Sequence, residues 1–224
     1  RDRDVERLRV ALENTIAGRG SVAMLSGEPG VGKSRLAQEI GRRSEYRGAD
    51  VAWGRCYNET GLPPYWPWVQ IVRSILRSGD PDDIARALGP GAPEIGEIVA
   101  EVSEILPGLR QPTKVENPRY ARFRLFESLA AFFKNIAKKT PTVILLDDLQ
   151  WADEPSLLFL EFLARETRDQ SILILGVYQD IGLSRQHPLT EVLSGLATEP
   201  HFQRISLGNL DEKAVGKIIE ITSR

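Results

Sequence analysis

The stretch "GEPGVGKS", residues 27 to 34, constrains this chain more than any other, because it matches G-x-x-x-x-G-K-[ST] between a short apolar run and a helical pattern. The run before it, "SVAMLSG" (21 to 27), reads as a strand, and 34 to 47 reads as a helix. A strand, a glycine loop and a helix in that order curl the main chain so that successive N–H groups face inward. Together with the helix amino terminus they form a concave cradle for phosphate oxygens. Gly27, Gly30 and Gly32 permit the curl, and Glu28, Pro29, Val31 and Arg35 complete the expected nucleotide-contacting set. Lys33 is positioned to reach β- and γ-phosphates as a point charge, while the Ser34 hydroxyl offers one ligand to Mg²⁺. Nucleoside triphosphate binding is the chemistry expected.

A second stretch, "LLDDLQWAD" (145 to 153), continues an apolar run from Val143 and Ile144 and then turns into two adjacent carboxylates. A carboxylate at the carboxyl end of a buried strand can hold the hydrated Mg²⁺ whose other side meets Ser34 and the phosphates, which assigns Asp147. Asp148, one residue on, points differently and is the expected base that orients or partly deprotonates the attacking water. The plainer alternative for Asp148 is a helix cap. Asp153 has the stronger claim to that role, since Glu154 and Pro155 follow it.

Short β-rich runs alternate with helical patterns along the chain. Besides "SVAMLSG" they are "ADVAWGR" (49 to 55), "PTVILLDD" (141 to 148), "SILILGVY" (171 to 178) and "FQRISLG" (202 to 208). Their near-continuous apolar character suggests strands covered on both faces, as in a parallel sheet wrapped by helices, so the class is α/β. Further helices are expected at 156 to 168 and 189 to 198, and another from Asp211 onward. The interval 62 to 138 is too long for one crossover. Tyr120, Phe123, Phe126, Leu129, Phe133 and Ile136 recur there at helical spacing, so a helical insertion is expected, interrupted by "GPGAPEIG" (89 to 96). Interleaved prolines and aromatic rings in "LPPYWPW" (62 to 68) read as packing against that insertion.

Composition matters chiefly for what it removes. A net charge of −2 with pI near 5.9 lacks the basic footprint that draws a protein to nucleic acid, so direct nucleic-acid binding by this portion is not expected. One cysteine, Cys56, excludes an internal disulfide, and His187 and His201 alone cannot complete a zinc cluster or a catalytic triad. No apolar run approaches the roughly 18 residues needed to cross a bilayer, and no charged-then-apolar leader opens the chain. A reducing cytoplasm fits these features. The opening "RDRDVERLRV" and closing "IIEITSR" suggest an excerpt of a longer chain, with 1 to 224 as one domain and 209 to 224 beginning a following helical segment.

"GEPGVGKSRLAQEI", "GRCYNETGLPPYWPW", "LLDDLQWAD", "LGVYQD" and "HPL" together resemble the ATPase module of bacterial STAND-type signalling proteins, a branch of the AAA+ P-loop superfamily. The resemblance implies ATP or ADP with Mg²⁺ as ligands and a five-stranded sheet ordered 5-1-4-3-2. It also implies a place in a large regulator carrying LuxR-type helix-turn-helix, cyclase or kinase domains, with nucleotide-dependent self-association an open possibility. "RDRDVERL" resembles the family's Gly-Arg-Glu segment near the base, with the glycine missing and Asp2 in place of glutamate, which makes Arg1 the adenine-side candidate. In "GVYQD" (176 to 180) Gln179 stands where the family usually places arginine, near the γ-phosphate.

Three roles are therefore open: a slowly hydrolysing ATP-driven regulatory switch, a remodelling ATPase, and an interaction module that holds nucleotide without turnover. The second would need an arginine donated to a neighbouring site, for which Arg185 and Arg204 are the conceivable sources.

Overall fold

The computed structural model describes residues 2–59, 61–112, 117–180, 182–184 and 186–208. Arg1, Arg185 and the segment 209 to 224, including the helix expected from Asp211, lie outside the described residues. Five strands form one parallel sheet: β1 (Ser21–Ser26), β2 (Asp50–Arg55), β3 (Thr142–Asp147), β4 (Ile172–Val177) and β5 (Phe202–Ser206). Their order is β2-β3-β4-β1-β5, the expected order written from the other edge.

The apolar content of each strand matches its place. Every residue of β1, β3 and β4 is buried, and these are the three central strands. The edge strands β2 and β5 each carry exposed positions, so burial on both faces holds for the centre of the sheet and lapses at its margins.

Alternation along the central strands divides the core in two. Val22, Met24, Ile144, Leu146, Ile172 and Ile174 face one side, where they pack in a single cluster with residues of α3 (Trp66–Ser78), α7 (Pro118–Ala137), α8 (Glu154–Glu166) and α9 (Pro188–Leu196). Ala23, Leu25, Val143, Leu145, Leu173 and Leu175 face the other, against α1 (Asp2–Ile16) and α2 (Lys33–Tyr46). The sequence reading attached no helix to residues 2 to 16. The signal was there in Leu8, Ala11 and Leu12, all buried against the sheet at helical spacing.

Between β2 and β3 the chain forms the expected helical insertion: α3, α4 (Pro81–Leu88), α5 (Ala92–Gly96), α6 (Val102–Ile105) and α7. "GPGAPEIG" interrupts it as expected, but as a 3₁₀ turn at Gly89–Gly91 followed at once by α5. In α7, Phe126, Leu129 and Phe133 are buried, whereas Tyr120 and Phe123 are exposed. The helical periodicity is real, but its first turn extends past the covered part of the helix. The "LPPYWPW" stretch packs: Trp68 is fully buried against Phe133 and Phe159, and its indole N–H donates to the Ser156 carbonyl at 3.0 Å. Trp68 thus joins the insertion to α8 beneath the carboxyl end of the sheet.

Replacing Trp68 by alanine removes the largest fully buried side chain among the described residues, together with its indole hydrogen bond to the Ser156 carbonyl. Trp68→Ala is expected to lower unfolding free energy by about 3–5 kcal/mol, measured by denaturant titration, with little change in the slope against denaturant.

Candidate nucleotide site

The phosphate loop joins the carboxyl end of β1 to the amino end of α2. A Cβ on Gly27 would lie 2.6 Å from the Leu207 carbonyl oxygen, so only glycine lets the loop leave β1 this close to the segment after β5. Gly32, with φ of 90°, caps α2 from the left-handed region and supplies no side chain to bond the first helical amides. Those amides, at the positive end of the helix, face the loop mouth. Glu28, Pro29 and Gly30 are exposed along the rim, and Val31 is buried beneath it.

Lys33 is buried, and its ammonium donates to the carbonyls of Gly27 at 2.9 Å and Glu28 at 2.8 Å. Burial pushes its pKa below the ordinary lysine value, opposed by the carboxylates of Asp180, Asp148 and Asp147. A cation so placed gains from a polyanionic ligand, because phosphate oxygens can replace the carbonyls at full charge.

Ser34 and Asp147 come from segments 113 positions apart, yet the Ser34 hydroxyl donates to Asp147 Oδ1 at 3.0 Å. Asp147 ends β3, is 5% exposed, and also accepts from the Asp148 main-chain N–H at 3.0 Å. Burial raises its pKa above the ordinary carboxylate value. The Ser34 hydrogen bond works against that rise, and the Asp148 charge adds to it. A buried carboxylate paired with a hydroxyl is a hard-oxygen set that suits Mg²⁺, which takes one or two protein ligands and completes its shell with phosphates and water. Among the described residues no group of three or more His, Cys, Asp or Glu could hold a metal by itself. The donor set therefore fits a nucleotide-associated Mg²⁺ and not an all-protein cage.

Asp148 adopts the left-handed region, φ 58° and ψ 40°, which asparagine and aspartate tolerate better than most residues. The bend turns its carboxylate out of the strand pattern. Oδ2 accepts from Arg55 at 3.0 Å (Nη2) and 3.2 Å (Nε), and Oδ1 accepts from the Gln150 side-chain amide at 3.1 Å. Gln150 is 9% exposed, and its amide oxygen accepts from the Gln179 main-chain N–H at 3.0 Å. Arg55 and Gln150 were missed in the sequence reading. Arg55 ends the strand adjacent to β3, and Gln150 is a polar residue inside "LLDDLQWAD", so the signal for both lies in the sheet order.

Asp153 caps α8, accepting from the Ser156 main-chain N–H at 2.9 Å and its hydroxyl at 2.6 Å, the role its context predicted. Gln179 and Asp180 follow β4, which lies between β1 and β3, and so stand beside the phosphate loop. Arg35 is exposed and lines a depression between α2 and β2 with Gln38, Arg42 and Trp53. Arg204 projects from edge strand β5 with its guanidinium 5.6 Å from the Tyr178 ring centre. Burial pushes the Cys56 thiol well above its ordinary value, as suits an inert residue. His187 caps α9 through Nδ1, and His201 Nε2 lies 2.9 Å from the Ala164 carbonyl.

A sequence profile described as "AAA ATPase domain" matches residues 1–175. The chain belongs to this family. An uncharacterized protein of Rhizobium meliloti (strain 1021) is 23% identical over 175 residues, an alignment covering 70% of this chain and 16% of that protein. This AAA ATPase domain thus spans about a sixth of the curated relative it matches.

Similar solved structures include the Escherichia coli MS115-1 HORMA:CdnC:Trip13 complex, with TM-score 0.51 and 10% identity over 98% of this chain and 66% of that one. Aquifex aeolicus DnaA bound to AMPPCP gives TM-score 0.44 and 18% identity, covering 97% and 49% respectively. Drosophila ORC bound to DNA gives TM-score 0.45 and 16% identity, covering 96% and 98%. At such identities the likeness is one of fold. No helix among the described residues is long and apolar enough to cross a membrane.

Lys33→Ala and Asp147→Ala each remove a charge from the positions expected to meet phosphate and metal, without opening the core. A parent protein held at a thousandfold excess over its Kd for Mg-ATP gains about 4 kcal/mol, or about 10 °C in melting temperature. Both variants are expected to lose most of that shift in a thermal melt while unfolding cooperatively without nucleotide.

Proposed function

We propose that this AAA ATPase domain is a Mg²⁺-dependent, slowly hydrolysing ATP switch within a multidomain signalling or transcription regulator. The observation that carries the ATPase part is the 3.0 Å contact between Ser34 and Asp147, with Lys33 buried in the same loop and Asp148 next in the chain. The regulatory context rests on the resemblance of "GEPGVGKSRLAQEI", "LLDDLQWAD" and "LGVYQD" to STAND-type modules.

In this reading the loop amides and Lys33 bind the β- and γ-phosphates, and Ser34 and Asp147 hold the metal. A Mg²⁺ held by Ser34 and Asp147 would supply positive charge against the negative charge that develops during phosphoryl transfer. Asp148 accepts a proton from the attacking water once one of its oxygens is released. Arg55 is the partner suited to give way, since its pair with Asp148 is 54% and 21% exposed on the two sides and is worth about 1 kcal/mol or less. Gln179 offers the γ-phosphate a neutral hydrogen bond and not the charge-assisted fork of an arginine, so discrimination of ATP from ADP is weak and turnover slow. With micromolar affinity and millimolar ATP, the bound conformation gains about 4 kcal/mol, enough to shift a two-state element nearly completely. The responding partners are other domains of a longer chain, or further copies of it.

Two substitutions test the assignment of chemistry. Asp148→Asn keeps the shape and the tolerance for left-handed backbone but surrenders the proton acceptor. It is expected to bind Mg-ATP within about threefold of the parent and to lose at least about 100-fold in single-turnover hydrolysis. An unchanged rate would move the base elsewhere.

Gln179→Arg restores a cation beside the γ-phosphate, and the main-chain N–H that Gln150 holds is unaffected by the change. Either the single-turnover rate or the ATP-over-ADP preference is expected to rise roughly tenfold. A slower variant with no gain in preference would mean that Gln179 positions the attacking water itself.

A further inference from the structure

Both oxygens of Asp148 are occupied, by partners of very different exposure. Oδ2 meets Arg55 in a pair open to solvent on both sides, while Oδ1 meets Gln150, a side chain almost wholly buried. The Gln150 amide can point only one way. A main-chain N–H can only donate, so the Gln150 oxygen must face Gln179, and its nitrogen must then face the carboxylate, which can only accept. Neither end has an alternative, and the amide cannot turn over without breaking both bonds.

The consequence is a tie across three neighbouring strands at their carboxyl ends. Arg55 ends β2, Asp148 follows β3 and Gln179 follows β4, and these strands are adjacent in the sheet. When the exposed Arg55 arm lets go, the Gln150 arm remains and determines where the freed oxygen points. It also links that oxygen to the β4 loop carrying Gln179 and Asp180. Any displacement of this loop by a γ-phosphate is thereby transmitted to the carboxylate through one side chain.

We propose that Gln150 is the positioning residue that orients Asp148 for water activation and couples it to the loop after β4. This rests on the ATPase reading above. Gln150 contacts neither phosphate nor metal in this role; it acts on turnover through Asp148, and its loss affects rate far more than affinity.

The test uses the same chain with Mg-ATP, reading affinity with a fluorescent ATP analogue and chemistry by single-turnover hydrolysis. Gln150→Met keeps the length and loses both hydrogen bonds. Gln150→Glu keeps acceptance from the Gln179 N–H and loses donation to Asp148. Both are expected to bind within about tenfold of the parent and to hydrolyse at least about tenfold more slowly, since small misplacement of a reacting group costs rate steeply.

Combining Gln150→Met with Asp148→Asn separates positioning from mere structure. If Gln150 acts through Asp148, the double variant is no slower than Asp148→Asn alone; a structural role gives a further loss of rate or of cooperative unfolding. Parental rates in both Gln150 variants, or additive losses in the double variant, would overturn the inference and leave the ATPase reading standing. A parent that binds Mg-ATP and never hydrolyses it would overturn the reading, and this inference with it.

Discussion

Everything at the candidate site depends on one strand lying between two others. Because β4 lies between β1 and β3, the loop leaving β1 and the acid ending β3 open onto the same edge with one strand's width between them. That gap lets the Ser34 hydroxyl meet Asp147 at 3.0 Å across the end of β4. Direct pairing of β1 with β3 would leave no crevice, and a wider separation would break the contact. The crevice is thus a product of strand order, as is usual at the carboxyl edge of parallel α/β sheets.

That order is held by an apolar core on each face of the sheet. On one face α1 and α2 pack against apolar residues of β1, β3, β4 and β5, and α2 carries the phosphate loop at its amino end. The other face is covered by the insertion, through Trp68, Phe126 and Phe133, together with Phe159 of α8. The insertion therefore does more than lengthen the crossover. Its first helix, α3, buries edge strand β2, and Gln70 of that helix bonds the main chain of Arg55, so the residue that pairs with Asp148 is itself set from the insertion.

The buried charges show why this edge suits a triphosphate and a divalent ion together. Lys33 is pushed toward its neutral form by burial and Asp147 toward its protonated form. On the proposed reading, phosphate beside the lysine and a cation beside the aspartate would each favour the charged form against burial. One Mg-nucleotide would offset both costs, a physical reason on that reading for metal and nucleotide to bind as a unit.

The sequence alone determined the local parts: the glycine loop with Lys33 and Ser34, the acids Asp147 and Asp148 at the end of an apolar run, the Asp153 cap, the five strands and the helical insertion. Each is legible because it depends on neighbours a few positions away, through main-chain conformation, helix capping or the period of apolar residues. The first helix is also written locally, in Leu8, Ala11 and Leu12, although its charged opening leaves these three buried positions to carry the period. Only the tertiary structure decided which partners hold Asp148. Arg55 lies 93 positions away from it, and Gln150 reaches Gln179 across 29 positions, so their contacts follow from which strands are adjacent and how each loop leaves the sheet. Tyr120 and Phe123 show the same limit from the other side: periodicity named the helix, but only the extent of the surface packed against it settled which rings are covered.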